Sequence, residues 1–227
     1  MSKRRIGLVG AVAILLPAVA LAFAWARHEY SAVIHRKPNL EHGAEIFGRC
    51  ASCHGDTGRG TGDEKIPRIG GQHFQVLVKE LVDYRGWQRY DERMEAVTDS
   101  HLLSDSQAIA DVAGYVSQLQ WPRFRQLFEN AKEEPGGMLY AKRCQSCHGA
   151  AGQGDPVKLV PRLAGQHYKY LARQMVYASG ARRSNITRRH SRLLASLKRD
   201  EILDVADFLS RSAWRDFEAP VDDGDKK

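Results

Sequence analysis

Two copies of one short pattern constrain this chain more than any other feature of its 227 residues: Cys50-Ala51-Ser52-Cys53-His54-Gly55 and, 94 positions later, Cys144-Gln145-Ser146-Cys147-His148-Gly149. Cys-x-x-Cys-His is the attachment pattern of c-type haem. The two thiols add to the two vinyl groups, and the adjacent histidine offers its free ring nitrogen to iron. A thioredoxin-like reading needs a βαβ context, which is absent from the sequence, and a zinc site shared between the motifs would need them close together. In an exported chain four cysteines would otherwise suggest disulfides. Here these four are the whole complement, and all are consumed as thioethers. The motifs therefore predict two covalently bound haem c groups, on Cys50 and Cys53 and on Cys144 and Cys147, with His54 and His148 on the irons.

Export is written into the first residues. Lys3, Arg4 and Arg5 precede an uncharged, mostly apolar run from Ile6 to Trp25, the grammar of a signal segment. Residues 1–25 read either as a cleaved signal peptide, with Ala20-Leu21-Ala22 or Ala24-Trp25-Ala26 as the small-x-small site, or as a retained membrane anchor, which the length of the run favours. In both cases the basic start stays cytoplasmic and the rest is translocated, so the location is the periplasm, with an inner-membrane tether if the segment is kept.

The chain is one module written twice. With an offset of 94, Gly43 falls on Gly137, Gly58 on Gly152, Pro67 on Pro161, and Gly71-Gln72-His73-Phe74 on Gly165-Gln166-His167-Tyr168; near the end Val112-Ala113-Gly114-Tyr115 meets Val205-Ala206-Asp207-Phe208 at 93. Repeats of this size are tandem domains, here 38–121 and 132–215, with Pro122, Pro135, Gly136 and Gly137 interrupting the pattern between them. Both are all-α. The first predicts helices over 40–50, 72–84 and 105–119, with Ile109, Val112, Ala113 and Val116 as an apolar stripe and Ser104 with Gln107 as a capping box. Ile202, Val205, Ala206 and Leu209 repeat the stripe. Each half is small for a self-sufficient core, and a buried haem would supply the missing apolar mass.

The duplicated C-x-x-C-H-G, the Pro-Arg-x-x-Gly-Gln-His element at the same distance from each, and the closing Val-Ala-x-aromatic helix resemble the di-haem cytochrome c4 family of class I cytochromes c, over residues 38 to 214. The resemblance implies two all-α cytochrome folds packed about a pseudo-twofold axis with neighbouring haems, and single-electron steps toward a terminal oxidase or similar acceptor. It implies that the carbonyls of Pro67 and Pro161 accept from the other ring N–H of His54 and His148. It also places Gly43 with Tyr115, and Gly137 with Phe208, where first and last helices cross.

A class I cytochrome completes its iron coordination with a methionine upstream of the last helix. Met94 is the candidate in the first copy, nine residues before Leu103, with His101 as the alternative. The second copy has no methionine in that window; Met138 lies before the motif and Met175 suits a core. His190 stands there instead, seven residues before Leu197, at the expected spacing with the ligand type changed. His73 and His167 recur beside Gly-Gln and suit a shared turn or pocket rim. His28, His35 and His42 fall outside the repeat.

Methionine on the first iron and imidazole on the second make the second haem the lower in potential. Residues 38–130 hold ten basic and fourteen acidic groups, and residues 131–227 eighteen and twelve. Electrons would then enter from a donor protein at the basic second domain and leave to an acceptor protein from the acidic first. Arg182, Arg183, Arg188, Arg189 and Arg192 either steer an acidic donor or form a solvated loop. Nucleic acid is not an expected partner of an exported chain. Two readings compete with an electron carrier: a haem oxidoreductase subunit, peroxidase-like or acting on thiosulfate, and a gas-binding sensor should the second iron keep an open position.

Overall fold

The computed structural model describes residues 24–98, 101–120, 134–180 and 182–211. They are helical: α1 (24–34), α2 (Leu40–His54), α3 (Phe74–Arg85), α4 (Glu92–Thr98), a 3₁₀ turn (His101–Leu103) and α5 (Ser106–Gln118) in the first half. The second half holds α6 (Pro135–Arg143), α7 (Gln145–His148), α8 (Tyr168–Ser179), α9 (Arg188–Ala195) and α10 (Arg199–Arg211). Among the described residues the only extended pairing is an isolated bridge between Asp155 and Val160.

Each half is built on the crossing of its first and last repeat helices. Asn39 starts α2 by accepting from the N–H groups of Glu41 and His42, which satisfies two of the orphan donors of a helix start. Ile46 and Phe47 then face Ile109, Val112, Ala113 and Val116 of α5 in one buried cluster. Asp105, not Ser104, caps α5, accepting from Gln107 and Ala108.

A Cβ on Gly43 would collide with the Asp111 carbonyl, and a Cβ on Gly136 with the Asp204 carbonyl. The partner of Gly43 is therefore Gly136 and not Gly137. Aromatic pairs confirm the register: Phe47–Tyr115 and Tyr140–Phe208 both have ring centroids 5.4 Å apart. Relative to the first copy, one extra residue lies between Tyr140 and Cys144. In a continuous helix it would swing the following motif by about 100° about the axis. Instead α2 runs unbroken through Cys50 to His54, whereas its counterpart breaks at Cys144 (φ −117°, ψ −37°) and resumes as α7. The break absorbs the insertion.

The first core gains a further helix. In α1, Ala26 and Val33 are buried, Trp25 lies against Gly86, and Glu29 accepts from Arg85 and Ser106. Most of the apolar run Ile6 to Trp25 lies outside the described residues, among which no helix is long and apolar enough to cross a membrane.

The halves meet across a largely buried polar cluster. Glu80 on α3 accepts from Arg89 and from Arg183 and Asn185 of the other half. Arg89 also donates to Tyr170 (2.8 Å) and Gln174 (2.9 Å) on α8, and Ser184 to the Gln88 carbonyl (2.7 Å). Arg183 is thus committed to the interface, while Arg182, Arg188, Arg189 and Arg192 are exposed. Burial raises the Glu80 carboxyl, but Arg89 and Arg183 more than reverse this and hold it well below the usual carboxylate range.

Two outcomes follow from this packing. Gly43→Ala and Gly136→Ala should each cost about 1–3 kcal/mol in denaturant unfolding, because a backbone carbonyl cannot yield to the added methyl. Glu80→Gln should cost about 3 kcal/mol by leaving two guanidinium groups short of a carboxylate. The Glu80 contribution is complete above the ordinary glutamate pKa of about 4.3 and is lost as pH falls through the depressed folded value. Acid unfolding of the Gln variant should therefore show a shallower pH dependence than the parent.

Candidate haem sites

Cys50 and Cys53 lie in the last turns of α2, and Cys144 and Cys147 lie at the start and within the short α7; in each half a glycine-rich loop follows and turns back onto the motif. The N–H of Gly60 donates to the His54 carbonyl (2.7 Å) and that of Gly154 to the His148 carbonyl (2.9 Å). Both glycines have positive φ, 77° and 73°, a region that side chains avoid. A Cβ there would also strike the backbone leading to Pro67 or Pro161. This close approach brings the proline carbonyls to the histidines: Nδ1 of His54 lies 3.0 Å from the Pro67 oxygen, and Nδ1 of His148 lies 3.4 Å from the Pro161 oxygen.

A carbonyl can only accept, so Nδ1 carries the proton in both rings. Burial lowers the His54 pKa and takes His148 down to about 4. Both rings are neutral near pH 7, and each keeps an Nε2 lone pair for a metal. Burial also pushes the Cys50 and Cys144 thiols up to about 11, while Cys53 and Cys147 are exposed. The half-buried thiols are not poised as thiolates; paired with an outward cysteine on the next turn, they fit two thioether links along one edge of a haem.

The expected distal residues are placed unequally. His190 lies in the first turn of α9, its backbone N–H held by the Thr187 hydroxyl (3.2 Å). Its ring is 6.0 Å from that of His148, centroid to centroid. Two imidazoles on opposite sides of one metal, each at about 2 Å through nitrogen, have centroids roughly 6 to 6.5 Å apart. Burial, then Arg183, lowers the His190 pKa, so this ring too has a lone pair to give. Met94 is half-buried in α4, next to Arg93, whose charge lowers the His54 pKa while Asp91 raises it. His101 is exposed, Met138 is exposed and Met175 packs on the second core.

His73 and His167 have another task. Nε2 of His73 donates to the Gln153 carbonyl (2.7 Å) and Nε2 of His167 to the Arg59 carbonyl (2.8 Å), each reaching into the loop of the opposite half. Gln72 and Gln166, which sequence reasoning passed over, do the same beside them. Gln72 accepts from the N–H of Arg162 (2.9 Å) and donates to its carbonyl (3.0 Å); Gln166 accepts from the N–H of Arg68 (2.9 Å) and donates to its carbonyl (2.8 Å). The signal was the repetition of Gly-Gln-His itself, whose partner could not be read from one copy.

The family model described as cytochrome c matches residues 40–120 and again 133–213. Cytochrome c4 of Thiocapsa roseopersicina is 29% identical over 73% of this chain and 88% of that protein. A protein of Stutzerimonas stutzeri named thiosulfate dehydrogenase electron acceptor is 28% identical over 71% of this chain and 77% of its own length. In fold, the reduced recombinant cytochrome c4 of Pseudomonas stutzeri superposes with a TM-score of 0.66 at 23% identity, covering 78% of this chain and all of that one.

Proposed function

Because the chain belongs to the cytochrome c family, in its di-haem cytochrome c4 branch, and is an electron carrier with two covalently bound haem c groups, we propose that it passes single electrons between protein partners in the periplasm. In this reading the domains are 38–121 and 132–215, and residues 1–25 lead the chain to or anchor it at the inner membrane. Haem supplies a one-electron iron couple; the residues around it set its ligands and its accessibility.

The observation that carries the reading is the pair of buried, neutral histidines with Nδ1 tied to a proline carbonyl and Nε2 left free. Cys50 and Cys53 hold the first haem and Cys144 and Cys147 the second, with His54 and His148 as proximal ligands. His190 would complete the ligands of the second iron, a choice supported by its ring lying 6.0 Å from that of His148, and Met94 would complete those of the first. With both irons so held, no position would be left for substrate or gas, which favours a carrier over the oxidoreductase and sensor readings. Imidazole in place of thioether lowers the second potential. The exposed Arg188, Arg189 and Arg192 lie on the helix that carries His190, and Arg182 precedes it, so an acidic donor docks there and electrons run toward the first haem. A relative named as the electron acceptor of thiosulfate dehydrogenase makes a periplasmic dehydrogenase a fitting class of donor.

The purified mature protein should show a Soret band and a mass increased by two haems; material lacking either overturns the proposal. His190→Ala should convert the second haem from low-spin to a CO-binding species and raise its potential, and Met94→Ala should lower the first. Unchanged spectra and titrations would remove these two residues as ligands.

A further inference from the structure

The crossed glutamine contacts end on the same peptide groups that the haem histidines use. Pro67 and Arg68 share one peptide unit: its oxygen accepts from His54 Nδ1 at 3.0 Å, and its N–H donates to Oε1 of Gln166 in the other half at 2.9 Å. The 161–162 peptide mirrors it, its oxygen accepting from His148 at 3.4 Å and its N–H donating to Oε1 of Gln72 at 2.9 Å. The amide orientations are forced. The N–H and C=O of Arg68 need an acceptor and a donor respectively, and Gln166 meets both with Oε1 and Nε2. Its oxygen also takes the N–H of His167 at 2.9 Å, so both lone pairs are used. Gln72 is 8% and Gln166 5% exposed, where water does not compete for these bonds.

We propose that Gln72 and Gln166 are positioning residues that tune the haem of the opposite domain, each through one peptide group. This rests on His54 and His148 being the proximal ligands. Hydrogen bonds in a chain polarise one another, by roughly 10–30% per bond. An amide whose N–H is engaged by Gln166 has a more negative oxygen, which draws the His54 Nδ1 proton more strongly. The imidazole becomes a more basic ligand, as outer-shell acceptors make it, and favours the oxidised iron. Domain docking thereby lowers both potentials, each half acting on the other. The shorter His54–Pro67 bond makes the first haem the more responsive of the two.

The test is a set of variants of the full holoprotein, titrated while the haem methyl resonances of each domain are followed separately by NMR. Gln166→Leu should raise the potential of the His54 haem and leave the His148 haem in place. Gln72→Leu should do the reverse, with a smaller shift. Gln166→Glu keeps the acceptor and should hold the first potential at or below that of the parent, so it rescues the leucine variant. Shifts confined to the haem of the mutated domain, equal shifts of both haems as from loosened docking, no shift, or a Glu variant that behaves as Leu would each overturn the proposal. Haem content by mass, measured on the same samples, separates this from the reading beneath it: fewer than two haems in the parent defeats the function, while two haems without crossed shifts defeats only the relay.

Discussion

The bond from histidine Nδ1 to a proline carbonyl governs the arrangement of this molecule. Without it the ring after each cysteine pair could present either nitrogen; with it, one tautomer and one orientation remain. Much of the local backbone serves that bond. Gly60 and Gly154 take up positive φ so that the chain after the haem motif can return against it, and their N–H groups tie the return to the carbonyls of the histidines themselves. The helices before and after then need only hold this loop still. They do so by a close crossing, at Gly43 and Gly136, that leaves no room for a side chain.

Much of this could be read in advance. The cysteine motifs, the two prolines and the repeated helical stripes are local patterns tied to chemistry. What failed had a physical reason. Aligning the copies on their cysteines slid Gly43 onto Gly137, because a single extra residue was hidden inside a helix and taken up by a break at Cys144. Ser104 and Asp105 are both good caps, and only the backbone decides between them. Arg183 read as one of a run of surface arginines, yet it is drawn into the interface by Glu80 from more than a hundred residues away. Gln72 and Gln166 stood out only as a repeated element, and their partners stayed hidden for the same cause: contacts between domains leave no periodicity in either one.

The interface itself relies on directed polar bonds more than on an apolar seam. Lys79, Glu80, Asp83, Gln88 and Arg89 from one side meet Tyr170, Gln174, Arg183, Ser184 and Asn185 from the other. Such a contact tolerates little sliding, since each displaced donor or acceptor would be left without a partner away from water. A carrier that must hold two redox centres at one separation gains from that rigidity, because transfer between them depends on distance and orientation.

In the crossed contacts each half gives the other what it receives, glutamine for glutamine and histidine for histidine. Reciprocity of this kind is the mark of an isologous contact between two identical subunits. The chain therefore carries the geometry of a homodimer inside one polypeptide. Joining the two partners by a short linker replaces a concentration-dependent encounter with a local one of high effective molarity, so the pair stays assembled however dilute the protein becomes, and the two halves are free to diverge in charge without losing each other.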